Sequence, residues 1–210
     1  MIPILYEDRH IVVVDKPAGL ASIPERDRSI DCVMSLMERQ LRRKLLIVHR
    51  LDKDASGILL YAKNPESHRY MNKLFTDRLI EKTYGAVVHG IIAEEEGTIE
   101  APIRVYGSGR MGVDEVRGKP SRTDFKVIKR LADHTFIEAY PITGRRHQIR
   151  VHCYYKGHPI VGDALYGDKN LQKNYPRLLL HARRLVFTGL NGKRTEVASR
   201  LPKEFLPIVS

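Results

Sequence analysis

The apolar residues of this chain come in short runs, and run length is what most restricts its fold. Residues 11–14, 46–48, 58–62, 84–89, 97–103, 122–130, 135–140, 178–187 and 195–198 are of strand length. The first is a β-branched run stopped by Asp15, Lys16 and Pro17. Helical spacing shows in few places. Over residues 30–44, Ile30, Val33, Met34, Met37 and Leu41 share a face, with Ser29 as the expected N-cap and Arg42, Arg43 and Lys44 closing the last turn. Residues 66–77 carry an inward stripe of Met71, Leu74 and Phe75, and residues 147–156 can also form a helix. Many strands, few helices and hairpin-length links predict an α+β fold. Its sheet is mostly antiparallel and mixed, with flanking helices and loops. There is no internal repeat and no low-complexity linker, so a single domain over residues 1–210 is expected. Residues 17–24 read as a loop and 107–120 as a long flexible insertion.

Charge narrows the partners. Lysine and arginine number 36 against 25 acidic residues, a net charge of +11. Such a surplus favours an anionic partner, most often nucleic acid and sometimes an acidic membrane. Cys32 and Cys153 are too few for a disulfide framework and sit in apolar stretches, as buried thiols in a reducing compartment do. No secretory signal and no apolar run near the ~20 residues of a membrane span are evident, so a cytoplasmic location is expected.

Several motifs carry competing readings. GSGRMG (107–112) matches G-x-G-x-x-G, but the following VDEVRGKPSR shows no helical stripe. No helix N-terminus is offered to a pyrophosphate, and the pattern is rejected as a nucleotide site. Among nine histidines, His147 and His152 are five apart and there is no HExxH or PCxxC, so a metal site is not expected. HRLDKDASG (49–57) sets His49, Arg50, Asp52, Lys53 and Asp54 in one loop. It is either a solvated turn or an acid held among cations that grip an anionic substrate. GRRHQIRVH (144–152) gathers Arg145, Arg146, His147, Gln148 and Arg150 with no acidic residue interleaved. Their acceptors must come from elsewhere: phosphates, a base edge or a buried carboxylate. Tyr84, opening a strand in EKTYGAVVHG, offers a flat face and a phenol.

In this order the pieces resemble the RluA family of pseudouridine synthases. The matching segments are KPAGL (16–20), HRLD with SG (49–52, 56–57), KTY (82–84), PITGRRHQIRVH (141–152), GHPIVGDALYG (157–167) and LLLHA (178–182). Two features depart from the usual pattern: Ala55 stands where the family has threonine, and the S4-like RNA-binding domain of many relatives is not expected here. The resemblance implies the pseudouridine synthase catalytic fold and isomerisation of uridine in ribosomal large-subunit RNA, transfer RNA or both. That reaction is redox-neutral and a carboxylate suffices, so no metal or organic cofactor is expected, and nothing in the sequence demands more than a monomer. It assigns the reacting carboxylate to Asp52, its guanidinium partner to Arg145, and stacking on the uracil to Tyr84, which is also a candidate for removing the C5 proton. Leu180 is expected to pack the other side of the base. Arg50 fills the space left by a flipped nucleotide, and His49 braces the loop. Arg146, His147, Gln148 and Arg150 are expected at the RNA. Asp54 is the rival acid. A non-catalytic RNA-binding protein of the same fold and a metal-dependent nuclease using Asp52, Asp54 and histidines are the alternatives.

Overall fold

The computed structural model describes residues 1–25, 27 and 29–209. From the N-terminus come β1 (Ile4–Glu7), β2 (Ile11–Lys16), α1 (Val33–Leu41), β3 (Leu46–Ile47), β4 (Ser56–Ala62) and α2 (Pro65–Thr76). Next are β5 (Glu81–His89), β6 (Glu96–Glu100), β7 (Ile103–Val105), β8 (Met111–Val113), β9 (Arg122–Arg130), β10 (His134–Pro141), α3 (Gln148–Tyr155) and α4 (Lys169–Gln172). The chain closes with β11 (Leu180–Thr188), β12 (Arg194–Ala198) and α5 (Leu206–Val209). The fold is mixed α+β, rich in strand. It divides into two compact units, Met1–Lys82 with His181–Arg200 and Thr83–Leu180 with Leu201–Ser210. Among the described residues no helix is long and apolar enough to cross a membrane.

In the first unit the strands run in the order β1-β2-β4-β11, with β12 beside β11 and β3 beside β4. All seven residues of β4 are buried, which is why SGILLYA reads as a continuous apolar run. One edge of β4 pairs antiparallel with β2 over its length. Its other edge is shared: β3 takes Tyr61 and Ala62, and β11 runs parallel beside Ser56 and Gly57. That parallel approach explains the glycine. Gly57 has φ +106°, and a Cβ there would lie 2.2 Å from the carbonyl oxygen of Ala182.

The helix expected from residue 30 begins three residues later. Cys32 is its N-cap: the thiol accepts from the Ser35 N–H, and the Ser35 hydroxyl accepts from the Cys32 N–H. Ile30, placed on the apolar face by its spacing, is 55% exposed, and Ser29 instead bonds to Asp27. The helix stops at Arg42, which is left-handed with φ 52°. α2 follows expectation, with Pro65 in its first turn and the Asn64 side chain accepting from the Ser67 N–H.

In the second unit the order is β5-β10-β9-β6, antiparallel throughout. The single strand expected over 97–103 is broken because Pro102 has no N–H for a ladder, so β6 ends at Glu100 and β7 starts at Ile103. The insertion at 107–120 is more ordered than expected: β8 pairs with β7 in a hairpin. Gly109, at φ +78°, makes its turn, and the bare Gly112 lets the Tyr106 ring lie across the ribbon. GSGRMG ends inside β8, which stops at Val113, and a turn rather than a helix comes next. The core of this unit joins Val87, Phe136, Val161, Leu179 and Phe205, with the chain end packing on through Leu201, Ile208 and Val209. A smaller cluster of Ile103, Val151 and Tyr166 seats the hairpin against α3.

Candidate active site

In the first unit a buried lysine organises the loop that carries the acid. Lys16 is 1% exposed, and its ammonium donates to the carbonyls of Pro17 at 2.8 Å, Leu20 at 2.6 Å and Lys53 at 2.8 Å. The Gly19 N–H donates to the same Lys53 carbonyl. One residue before the acid, Leu51 exchanges two bonds with Ser22: its N–H donates to the hydroxyl, which donates to its carbonyl. The Ser22 carbonyl in turn accepts from the buried Tyr61 hydroxyl. The backbone is thus clamped on both sides of Asp52, whose side chain is partly buried. Arg50 and Asp54 are exposed, and Lys53 pairs with Glu25 at 3.1 Å.

His49 lies inward. Its ring stacks on Phe75, 4.7 Å between centroids, and Nε2 accepts the Leu60 N–H at 3.0 Å. Burial, with the Lys82 charge adding to it, pushes its pKa down to about 3. In the unfolded chain an imidazole titrates at about 6.5, so acid favours unfolding through this group. Its contribution to stability is complete above that value and is lost as pH falls toward about 3. We expect His49→Gln, which can still accept from Leu60, to flatten the pH dependence of stability across this window. The expected change is up to one proton, about 1.4 kcal/mol per pH unit, read from denaturant midpoints at a series of pH values.

Behind the loop runs a polar chain that sequence reasoning missed. Ser56 Oγ lies 2.8 Å from His181 Nδ1, His181 Nε2 lies 3.0 Å from Ser199 Oγ, and Ser199 donates to Asp15 at 2.9 Å. Because Ser199 donates onward, it accepts from His181 Nε2–H, and Nδ1 is left to accept from Ser56. Burial raises the pKa of Asp15, against the Ser199 bond that lowers it.

In the second unit Tyr84 sits in β5 opposite Ala139 of β10, partly buried. The dense donor segment divides in two. Arg145 and Arg146 are exposed; the Arg145 guanidinium lies 3.4 Å from the Pro120 carbonyl. Gln148, Arg150 and His152 turn into the unit. Gln148 accepts from the Thr143 hydroxyl and the Arg145 N–H, and donates to the Arg122 carbonyl and the Thr123 hydroxyl. All four of its hydrogen-bonding positions are filled by protein. Arg150 makes a two-pronged pair with Asp163, both bonds 2.8 Å, where their side chains are 5% and 0% exposed. His152 Nε2 donates to the Ala101 carbonyl, so Nδ1 accepts from Thr123, and burial lowers its pKa. This differs from the expectation that Gln148 and Arg150 face RNA: of the acceptors foreseen, Arg150 takes the buried carboxylate.

His147 caps α3 in the left-handed region, φ 55°, and its Nδ1 meets the Tyr166 hydroxyl at 2.8 Å. Leu180 is 3% exposed at the start of β11. Asp163 and Tyr166, which secure Arg150 and His147, both lie in the GDALYG segment. That segment entered the family resemblance without a role. Among the described residues no three His, Cys, Asp or Glu side chains are grouped so as to hold a metal ion.

Comparison with known proteins fits this arrangement. A sequence profile for RNA pseudouridylate synthase matches residues 10–155, which include the clamped loop, Tyr84 and the whole donor segment. The chain is 39% identical over 193 residues to the ribosomal large subunit pseudouridine synthase C of Vibrio vulnificus, covering 88% of this chain and 61% of that protein. The chain thus spans about three-fifths of the length of that relative. It is 39% identical over 189 residues to the dual-specificity RNA pseudouridine synthase RluA of Escherichia coli, covering 88% of this chain and 86% of that one. Among solved structures, human RNA pseudouridylate synthase domain containing 1 superposes with a TM-score of 0.83 at 30% identity, over 99% of this chain and 85% of the human one. With the profile spanning most of the chain and the likeness to RluA running nearly end to end, this protein belongs to the RNA pseudouridylate synthase family.

Proposed function

We propose that this chain isomerises uridine to pseudouridine within structured RNA, ribosomal large-subunit RNA, transfer RNA or both. The observation that carries the reading is the clamp on Asp52. Lys16 and Ser22 fix the backbone at residues 53 and 51, so the Cα–Cβ bond of Asp52 between them is held in one direction. A single reacting group needs that restriction; a solvated turn does not.

The reaction is redox-neutral. The N1–C1′ bond breaks, the uracil turns while bound, C5 joins C1′, and the C5 proton leaves as N1 regains one. Asp52 supplies the carboxylate at the sugar, as nucleophile or base. Arg145 supplies the positive charge that keeps it ionised in a dry site. Tyr84 stacks on the uracil and Leu180 packs its other face. The target cannot react inside a stem, so it is flipped out, and Arg50, exposed beside the acid, fills the gap. Arg146 is the further cation free to meet phosphate. The reaction calls for no metal or organic cofactor, and we take the enzyme to act as a monomer in the cytoplasm, with residues 1–210 as a single catalytic domain.

The test is to incubate the protein with uridine-containing RNA in the presence of EDTA and map pseudouridine. The expected result is pseudouridine in an intact strand, unaffected by chelator. Binding without conversion points to the non-catalytic alternative, and cleavage abolished by EDTA to the nuclease. Arg145→Ala is expected to lower turnover roughly 100-fold with little change in RNA affinity. Arg146→Ala should do the reverse, weakening binding more than turnover. Single-turnover rates and filter binding on both variants separate the two roles.

A further inference from the structure

Between the β7–β8 hairpin and the C-terminal end of α3 lies a cleft of about 480 Å³. That is within the range of sites that hold small flat ligands, roughly 300–1,000 Å³. Its floor is Tyr166, 1% exposed, whose hydroxyl accepts the Met111 N–H and meets His147. Around the rim stand Tyr106, Tyr154 and Tyr155, 41%, 48% and 52% exposed. Arg110, at the tip of the hairpin, lies over two of these rings, 5.1 Å from Tyr166 and 5.6 Å from Tyr154. Among the described residues no Asp or Glu lines the cleft.

Part of this arrangement is ordinary core. Ile103, Val151 and Tyr166, with Met111 and Val113, bury the underside of the hairpin. Tyr106 braces the hairpin, its ring against Gly112 and its hydroxyl donating to the Val113 carbonyl, whereas about half of Tyr154 and of Tyr155 remains in water. Arg110 meets these rings through cation–π contacts, and among the described residues no second cation lines the cleft. Such a surface suits a flat, polarisable ligand better than a bare phosphate. The chain's charge of +11 and the lack of lining carboxylates favour an anionic carrier for that ligand. Arg145 and Arg146 precede α3 while Tyr154 and Tyr155 lie at its C-terminal end, so the cleft is lined by residues other than those assigned to the reacting uridine.

We propose that the Tyr106–Arg110–Tyr154 cleft is a stacking subsite for an unpaired base of the RNA substrate, other than the uridine that reacts. The subsite rests on the reading of the chain as acting on RNA. It accepts bases by stacking, so it tolerates any base identity.

The test uses RNA that cannot react. Binding of labelled hexa-adenylate is compared with binding of an abasic ribose-phosphate strand of the same length, and with adenosine monophosphate alone. Tyr154→Ala and Arg110→Ala are expected to weaken hexa-adenylate binding roughly 5- to 150-fold. Tyr154→Ala should leave the abasic strand unchanged, and Tyr154→Phe should bind as the parent does. Unchanged hexa-adenylate affinity in both alanine variants overturns the subsite. So does equal weakening of both strands, which would mean a backbone contact. Monophosphate binding as tightly as the oligomer also overturns it, in favour of a free-nucleotide site. If Tyr154→Ala does not fold, Arg110→Ala on the exposed hairpin tip reads the same comparison. Hexa-adenylate contains no uridine, so these results are independent of pseudouridine formation. Conversion without base-dependent binding removes the subsite alone, and base-dependent binding without conversion removes the isomerase alone.

Discussion

Asp52→Asn is expected to reduce pseudouridine formation about 10⁴-fold or more while RNA affinity stays close to that of the parent chain. Loss of a reacting group that acts in concert with others gives effects of this order. The amide is nearly isosteric, and Leu51 and Lys53 are held through backbone atoms, so the loop should keep its shape. What changes is the charge and the nucleophilic oxygen. The exposed Asp54, two residues on, provides the internal control: Asp54→Asn should leave turnover nearly intact. Single-turnover conversion of a uridine-containing RNA, with binding measured in parallel, checks both. Turnover retained in Asp52→Asn and lost in Asp54→Asn would exchange the roles of the two carboxylates.

The second large effect is on stability. Arg150→Leu should destabilise the protein by about 3–5 kcal/mol, because it strands Asp163 as a buried charge without its cation. The measurement is the unfolding midpoint in urea. Adding Asp163→Leu removes the stranded charge, so the double variant should recover part of the loss. It should not recover all of it, because Asp163 also accepts the N–H groups of Leu165 and Tyr166, which would then have no partner. A double variant no more stable than the single one would mean that those two backbone bonds, not the ion pair, hold the segment.

How far the residues could be read depended on whether their partners were near in sequence. Residues 122–130 were read to their full length, since alternating burial leaves a period-two signature within the strand itself. β1 was missed: its apolar Ile4 and Leu5 follow directly on Pro3 and make no run of strand length, and none of its four residues is buried. The start of α1 was misplaced because a cysteine–serine cap competed with a better-known serine cap. The donor segment shows the limit most clearly. Its composition announced that acceptors were needed, but Gln148 finds Arg122, Arg150 finds Asp163 and His152 finds Ala101. Those partners lie 26, 13 and 51 residues away, so no local pattern could tell a spent donor from an available one. Lys16 was overlooked for a similar reason, since beside a proline a lysine looks like a turn residue.

The enclosed ammonium of Lys16 joins two stretches 37 residues apart in the chain. Reagents that acylate amines reach their targets through water, and this one is sealed off. It should stay unlabelled in the native protein while the many surface lysines react, and become labelled only when the stretches part. The joint is therefore a natural tracer: mass spectrometry of tryptic fragments would time each parting by the first appearance of a tag at residue 16.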